Sequence, residues 1–462
     1  METSPANAGE PTVPDTSATR TWIGAFAVLL ALGAFMTVLA WLEPAPPPPP
    51  AAQPAAPAPL LREPAAPAAL PKGVTLWPPG NLDEDDAWTG RLERLEGNLA
   101  ILTVRGTPKF RGAAHGHLLR AEVQRLVAGV RDFVRPDAER DAAKYRQALA
   151  GARTMGRFLD ADVMDELRAC AEAAEVDADE LLLAQLFGDV NRAEGFASFC
   201  SSFAAFGPAT KDGKLVVGRN FDYAGHGLEK GLPLILQELP SSEAEGRPFV
   251  TIGYAGILNG WTAMNDAGLC ASNNTLFGGV DSLEGISTCF LLRKIVQRTG
   301  TVEEAVRLVE SSPRACTTGM LVAGKNAAGA WDARFVEFDH KATAVVEPVG
   351  GRLLSTNTRQ KLTFEGLAPP RGEPGCSRWL TLKAELERFK GTLRFDDLAH
   401  NAIARSGVYM SINLHSALLD PSVGAQRFRL AVEQGDGRPA AEQRWRVFKV
   451  EPKRVVEVVD GK

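Results

Sequence analysis

The chain has 462 residues, with 51 Lys and Arg against 56 Asp and Glu, for a net charge of −5. That balance leaves no basic footprint for nucleic acid. Six cysteines (170, 200, 270, 289, 316, 376) lack C-x-x-C spacing, so neither a zinc site nor a small disulfide framework is indicated, and all but Cys200 read as buried free thiols.

After a polar tail over 1–20, residues 22–42 carry no charge and have Trp22 and Trp41 at their ends. As a helix they span roughly 31 Å, enough for a hydrocarbon core. The segment 21–42 is therefore read as a transmembrane anchor. The rival reading is a signal segment cut after Val38-Leu39-Ala40. Arg20 precedes the span and the next basic residue is Arg62. This bias places the bulk of the chain outside the cytoplasm, periplasmic or extracellular. Residues 43–72 form a Pro/Ala-rich linker, including the run Pro46–Pro50. Such composition builds no core, and in polyproline II form it reaches on the order of 90 Å.

The globular part is expected to begin near Gly73. A strand reads over 97–106, followed by an amphipathic helix from His115 to Val134 with Leu118, Leu119, Val123, Leu126 and Val127 on one side. Helices are expected at 161–175 and 178–190, the second opened by Asp177 three residues before Glu180. Strands follow at 214–219, 233–238, 248–254, 261–264 and 269–272, then helices at 283–298 and 302–311. Strands return at 318–323, 331–338, 342–347 and 352–356, helices at 376–389 and 395–405, and a strand-rich tail runs from Tyr409 to Val459. Two blocks of strands and two of helices make an α+β layered protein.

The most informative stretch begins at Cys200. The run from Cys200 to Phe206, a turn at Lys211-Asp212-Gly213-Lys214, and the run Leu215 to Asn220 together predict a hairpin. Cross-strand neighbours lie about 5 Å apart, so Cys200, Arg219 and Asp222 should meet. That joins a thiol, a cation favouring thiolate, and an acceptor that can orient a proton carrier. A lone cysteine is ordinarily core, but asparagines recur where later apolar runs end: Asn273 and Asn274, then Asn357. Each alone reads as a turn residue. Gathered at one sheet end, their amides could stabilise a tetrahedral oxyanion. Trp261, Trp331 and Trp379 are candidates for an acyl pocket or for ordinary core. His115 and His117 make an H-x-H pair, too few ligands for a metal site; no metal or cofactor is expected.

Cys200-Ser201-Ser202-Phe203 and Gly218-Arg219-Asn220-Phe221-Asp222 resemble the start of the mature chain in N-terminal-nucleophile cysteine hydrolases. The nearest group is that of acyl-CoA:6-aminopenicillanic acid acyltransferase, with choloylglycine hydrolase and acid ceramidase more distant. Arg105-Gly106-Thr107-Pro108, Gly112 to Gly116, the stretches Asp165 to Arg168 and Asp179 to Leu182, Met264 to Leu269, Thr356-Asn357, and Ile412 to Pro421 extend the similarity over about 97–450. The resemblance implies an αββα sandwich and a precursor that cuts itself between Phe199 and Cys200. It divides the globular part into a helical pro-segment (73–199) and a catalytic portion (200–462). Cutting frees the α-amine of Cys200, whose ordinary pKa of about 7.7–8.0 suits a base near neutrality. By the same resemblance Asp222 holds the amine, Arg219 favours the thiolate, Asn274 (or its neighbour Asn273) and Asn357 serve as oxyanion and positioning amides, and Arg378 assists the nucleophile. Thr358-Arg359 departs from the His that many relatives carry after the asparagine. The implied enzyme is an amidohydrolase or acyltransferase acting on a small amphiphilic N-acyl substrate. Lipid-ester hydrolysis and a non-catalytic tethered binding protein are the alternatives. Oligomeric state is not legible.

Overall fold

The computed structural model describes residues 72–458 apart from 79–88, 191, 193–197, 225–230, 365–366 and 371–372. The expected anchor at 21–42 and the linker up to residue 71 lie outside the described residues. Among those described, no helix is long and apolar enough to cross a membrane.

Two strands that periodicity did not announce, β1 (Val74–Trp77) and β2 (Gly90–Arg94), pair antiparallel with each other, and β2 pairs antiparallel with β3 (Ala100–Gly106). The helix expected from His115 is instead two, α1 (Pro108–Leu118) and α2 (Arg120–Val134). Pro108 opens the first, where its missing N–H costs nothing, and Leu119 with φ −120° and ψ 28° breaks the ladder between them. An additional helix, α3 (Ala142–Gly156), precedes α4 (Ala161–Ala174) and α5 (Ala178–Val190), which lie where the sequence put them. Asp177 accepts the Glu180 N–H at 3.0 Å and so caps α5. The Glu180 carboxylate bonds Tyr145 and Arg131 rather than the cap, so only half a capping box forms. Helix α1 lies against α4 so closely that a Cβ at Gly112 would sit 2.0 Å from the Glu166 carbonyl oxygen, and at Gly116 2.2 Å from that of Cys170. Only glycine permits this approach.

Two sheets follow. The larger has the order β1-β2-β3-β6-β7-β8-β9-β10-β11-β12, where β6 is Pro233–Pro240, β7 Phe249–Tyr254, β8 Thr262–Asn265, β9 Cys270–Thr275, β10 Thr318–Lys325, β11 Trp331–Phe338 and β12 Thr343–Val346. The smaller runs β13-β4-β5-β14-β15-β16-β17, with β4 Ser201–Gly207, β5 Gly213–Asp222, β13 Arg352–Ser355, β14 Asn413–Asp420, β15 Arg427–Val432, β16 Arg446–Glu451 and β17 Arg454–Val458. All neighbours are antiparallel except β3 and β6, which pair in parallel. Helices α6 (Thr288–Arg298) and α7 (Val302–Ser311) follow β9, while α8 (Ser377–Arg388) and α9 (Leu398–Ile403) lie between β13 and β14.

Period-two alternation sorts the side chains into layers. On β3, Leu99 and Ile101 pack with Leu215 and Val217 of β5, filling the space between the sheets. Ala100, Leu102 and Val104 point the other way, into the core shared with α1 through α7. On the smaller sheet Phe203, Ala205 and Val216 meet Leu382, Leu386, Ala399 and Ile403 of α8 and α9. The result is four layers, helix–sheet–sheet–helix, of mixed α and β content.

A buried charge network links α1 and α4 to β6 and α6. Arg293 of α6 donates to Glu166 of α4 at 2.7 Å and to Glu238 of β6 at 2.8 Å; Arg111 of α1 approaches Glu238 at 3.3 Å and Glu166 at 3.4 Å. Burial pushes the Glu238 carboxyl up to about 7. Burial also opposes ionisation of Glu166, but the two guanidiniums outweigh it and hold that carboxyl below its ordinary value. His115, next to this network, accepts the Gly256 N–H at 3.1 Å, and burial lowers its pKa to about 4, so its ring is neutral. His117 packs its ring on Trp77 instead. No group of three His, Cys, Asp or Glu able to hold a metal occurs among the described residues.

Candidate active site

The apolar filling between the sheets gives way to polar groups at one end, and alternation decides which. Cys200 and Ser202 share the inward side of β4 and its approach with Ala204; Arg219 continues the side of β5 that carries Leu215 and Val217. From the facing sheet, Ser272 and Asn274 of β9 extend the side that begins with Cys270. The β4–β5 hairpin pairs Ser202 with Arg219 directly. The guanidinium therefore folds back along the hairpin, donating from Nη2 to Cys200 Sγ at 3.0 Å and from Nη1 to Ser202 Oγ at 3.3 Å. Arg219 is fully buried, has no carboxylate ion-pair partner among the described residues, and lies over the Phe221 ring at 5.8 Å. An unpaired buried cation is costly. The sulfur is the group that its Nη2 faces.

Ser202 also donates to Asn274 Oδ1 at 3.1 Å, and Ser355 donates to the same oxygen at 3.3 Å. With its oxygen so held, the Asn274 amide nitrogen is buried and unpartnered. That is a donor with no acceptor, three hydrogen bonds from the thiol through Arg219 and Ser202. Asn273 points to the opposite side of the strand and lines a cavity of about 660 Å³, its own Oδ1 unpartnered. The paired asparagines thus separate by strand geometry: one belongs to the inter-sheet layer, the other to the cavity wall.

Asp222 reaches the sulfur with its main-chain carbonyl, 3.9 Å from Sγ, and not with its carboxylate. Its side chain alternates away from Arg219; Oδ1 accepts from Asn413 at 2.7 Å and Oδ2 is buried and unpartnered. Burial raises this carboxyl to about 7, against the pull of Asn413, the Met410 backbone N–H, Arg378 and Arg219. Asn413 lies in the stretch 412–421 singled out from the sequence, but nothing there marked it as the holder of Asp222. Its own oxygen is fixed by Ser416 at 2.9 Å and the Ala441 N–H at 2.8 Å.

The peptide joining Phe199 and Cys200 is gripped from the second strand block. Arg378, in the first turn of α8, donates to both the Phe199 and the Cys200 carbonyl oxygens, the latter at 2.9 Å. Asn357, just past β13, accepts from Arg378 at 3.0 Å and donates to the Thr275 carbonyl at 2.8 Å. Asn357 consequently positions Arg378 rather than presenting its amide to the thiol. The Phe199 N–H donates to the Asp222 carbonyl at 2.8 Å, continuing the hairpin ladder past Cys200. Two further hydroxyls that sequence reasoning missed complete the surroundings: Ser198 Oγ lies 3.6 Å from Sγ, and Thr275 donates to Ser198 at 3.2 Å. Isolated serines and threonines carry no sequence signal for such a role.

The cavity opens beside this cluster. Leu126, Val130 and Phe133 of α2 and Phe187 of α5 form one wall; Phe221, Tyr223, Tyr254 and Trp261 form another. Trp261 stacks on Phe221 with centroids 4.7 Å apart. Trp331 and Trp379 do not line it: Trp331 holds Lys325 over its ring at the far end of β11, and Trp379 is buried on α8. All six cysteines are free, yet Cys289 and Cys376 are only half-buried rather than buried, and Cys289 lines the cavity. His415 bonds Thr262 at 2.9 Å, and burial together with Arg219 keeps its pKa well below the ordinary value.

Residues 209–415 match the family model described as acyl-coenzyme A:6-aminopenicillanic acid acyl-transferase. The chain is similar to this group of N-terminal-nucleophile cysteine hydrolases. The match to the acyl-transferase family takes in Arg219, Asp222, Asn274, Asn357 and Arg378, and starts after Cys200. Among curated proteins, the chain is 24% identical over 248 residues to protein dcd1A of Dictyostelium discoideum, covering 48% of this chain and 54% of that protein. It is 25% identical over 244 residues to a protein of Archaeoglobus fulgidus, covering 46% and 39%. The chain thus spans about half the length, or less, of these curated relatives. Solved structures with likeness include a Caenorhabditis elegans N-acylethanolamine-hydrolyzing acid amidase ortholog (14% identity, TM-score 0.39, 55% of this chain and all of that one). Penicillin V acylase from Agrobacterium tumefaciens is another (13%, TM-score 0.34, 55% and 93%).

Proposed function

We propose that this protein is a self-processing cysteine amidohydrolase or acyltransferase that forms a thioester on Cys200. The observation that carries the reading is the pairing at the 199/200 junction: a fully buried, carboxylate-free Arg219 on the sulfur, and Arg378 on the carbonyl oxygen of the peptide that the sulfur would attack. The match to an acyl-transferase family supports the same class of chemistry.

In the uncut chain the Cys200 nitrogen is an amide and has no basicity. Attack of Sγ on the Phe199 carbonyl carbon, with the oxyanion received by Arg378, forms a thioester that water resolves. The nitrogen released becomes the base for later turnover. In the cut form the α-amine takes the thiol proton, Sγ attacks the substrate carbonyl, and the free Asn274 amide meets the oxyanion. The departing amine takes its proton from the α-ammonium, and water or a second amine cleaves the thioester. Asp222, anchored by Asn413, keeps one carboxylate oxygen for the α-ammonium. The apolar and aromatic cavity suits the acyl part of an amphiphilic N-acyl substrate, and a tether at 21–42 would hold the enzyme at a membrane outside the cytoplasm.

Intact-mass measurement of the purified protein tests this. Two fragments meeting at Phe199/Cys200 are expected, with the Cys200→Ala chain remaining whole. An uncut wild-type chain would sink the reading in favour of a binding protein. A panel of chromogenic N-acyl amides and acyl esters separates amide from lipid-ester chemistry, with faster amide turnover expected.

A further inference from the structure

One step of the self-cleavage just described lacks an agent: something must take the thiol proton before the α-amine exists. Among the described residues, three polar groups touch Cys200 Sγ: Arg219 Nη2 at 3.0 Å, Ser198 Oγ at 3.6 Å and the Asp222 main-chain carbonyl at 3.9 Å. A guanidinium only donates. The Asp222 carbonyl already accepts the Phe199 N–H at 2.8 Å, and a carbonyl oxygen has no proton of its own to pass on. The Asp222 carboxylate is outside hydrogen-bonding distance of the sulfur. A hydroxyl, by contrast, both accepts and donates.

Ser198 is buried, and its oxygen is aimed between two partners. Thr275 Oγ1 donates to one lone pair at 3.2 Å, leaving the other for the thiol. Its own proton is then free to be passed on. We propose that the Ser198 hydroxyl is the proton carrier for cutting the Phe199–Cys200 bond, positioned by Thr275. The inference rests on the self-cleaving reading above.

As Sγ bonds to the Phe199 carbonyl carbon, its proton passes to Ser198 Oγ while that hydroxyl gives its own proton to the Cys200 nitrogen, so the oxygen never carries two protons and the oxyanion forms against Arg378. Collapse then breaks the carbon–nitrogen bond, with the nitrogen already protonated and the hydroxyl intact. Water then hydrolyses the thioester, leaving a carboxyl on Phe199 and a thiol and amine on Cys200. The carrier belongs to the pro-segment, so this proton path exists for one cut per molecule.

The test follows cutting of freshly synthesised full-length chain by intact mass over time. Ser198→Ala is expected to cut about 100-fold more slowly, the low end of what a positioned acid–base group contributes. Ser198→Thr, which restores a hydroxyl, should recover most of the rate. If Ser198→Ala cuts at the wild-type rate, or if Ser198→Thr is as slow as Ser198→Ala, the carrier role is overturned. Should Ser198→Ala not fold, Thr275→Val carries the test, with cutting slowed about tenfold expected and an unchanged rate overturning the proposal. A wild-type chain that never cuts overturns both this inference and the function on which it rests.

Discussion

Two buried polar clusters sit a few residues apart in the same fold, and they are built on opposite rules. In the network of Arg111, Glu166, Glu238 and Arg293, each charge faces an opposite one, two guanidiniums against two carboxylates, with Glu245 at the rim. At the thiol, among the described residues, Arg219 faces no carboxylate, the Asn274 amide faces no acceptor, and one Asp222 oxygen has no hydrogen-bond donor. The first arrangement pairs every charge, although Glu238 Oε1 and Arg293 Nε have no hydrogen-bond partner. The second leaves a cation without a carboxylate beside an open donor and an open acceptor, which fits a group waiting for a reacting atom.

The contrast can be broken from either side. The largest effect is expected from Cys200→Ala, which should leave a single uncut chain and no detectable amide turnover, read by intact mass and a chromogenic assay. Next, Arg293→Met leaves Glu166 and Glu238 with Arg111 alone and removes the closer of their two shared partners. Breaking a buried pair costs about 3–5 kcal/mol, and a chemical-denaturation midpoint should fall accordingly. If it does not move, the network is not what fastens the two parts. Asn274→Ala removes the spare donor and should lower kcat by roughly 100-fold or more with KM little changed, the usual cost of one oxyanion donor. A rise in KM alone would reassign Asn274 to binding.

Asp222→Asn sharpens the comparison through pH. The native carboxyl sits at about 7, raised from an ordinary 3.8 by burial. If the ionised form holds the α-ammonium, activity should climb as pH rises through about 7, and the Asn variant should lose that limb. Stability should run the other way. Between about pH 4 and 7 the folded state keeps a proton that the unfolded state has lost, so this group makes the fold less stable as pH rises. Asp222→Asn should flatten that slope, and denaturation curves at pH 5 and 8 would reveal it. The smallest effect is expected from Asn413→Ala, which frees the Asp222 carboxylate to move and should cost several-fold in kcat.

The hairpin was legible because everything it needs is local: a strand, a turn and a strand within 23 residues, from Cys200 to Asp222, with Arg219 on the side facing the thiol. Helices α4 and α5 were legible for the same reason, each with a cap or an apolar face of its own. β1 and β2 were not, being four and five residues long and depending on β3 for pairing. Helix α3 has a weak apolar stripe and is held by packing on α5. The sharing of roles within the site was least legible. That Asp222 approaches the sulfur by its backbone and that Asn357 serves Arg378 depend on which way a side chain turns, and that Asn413 holds Asp222 depends on a pairing across 191 residues.

The parallel seam between β3 and β6 has a practical corollary. Residues 74–106 supply three strands at one margin of the larger sheet, and Ala100 through Gly106 run alongside Leu234 through Pro240. Were 72–199 deleted, β6 would present a row of bare amides and carbonyls flanked by Leu234 and Leu236, an invitation to intermolecular stacking. Expression of 200–462 by itself should therefore yield insoluble material, whereas co-expression with 72–199 should rescue it.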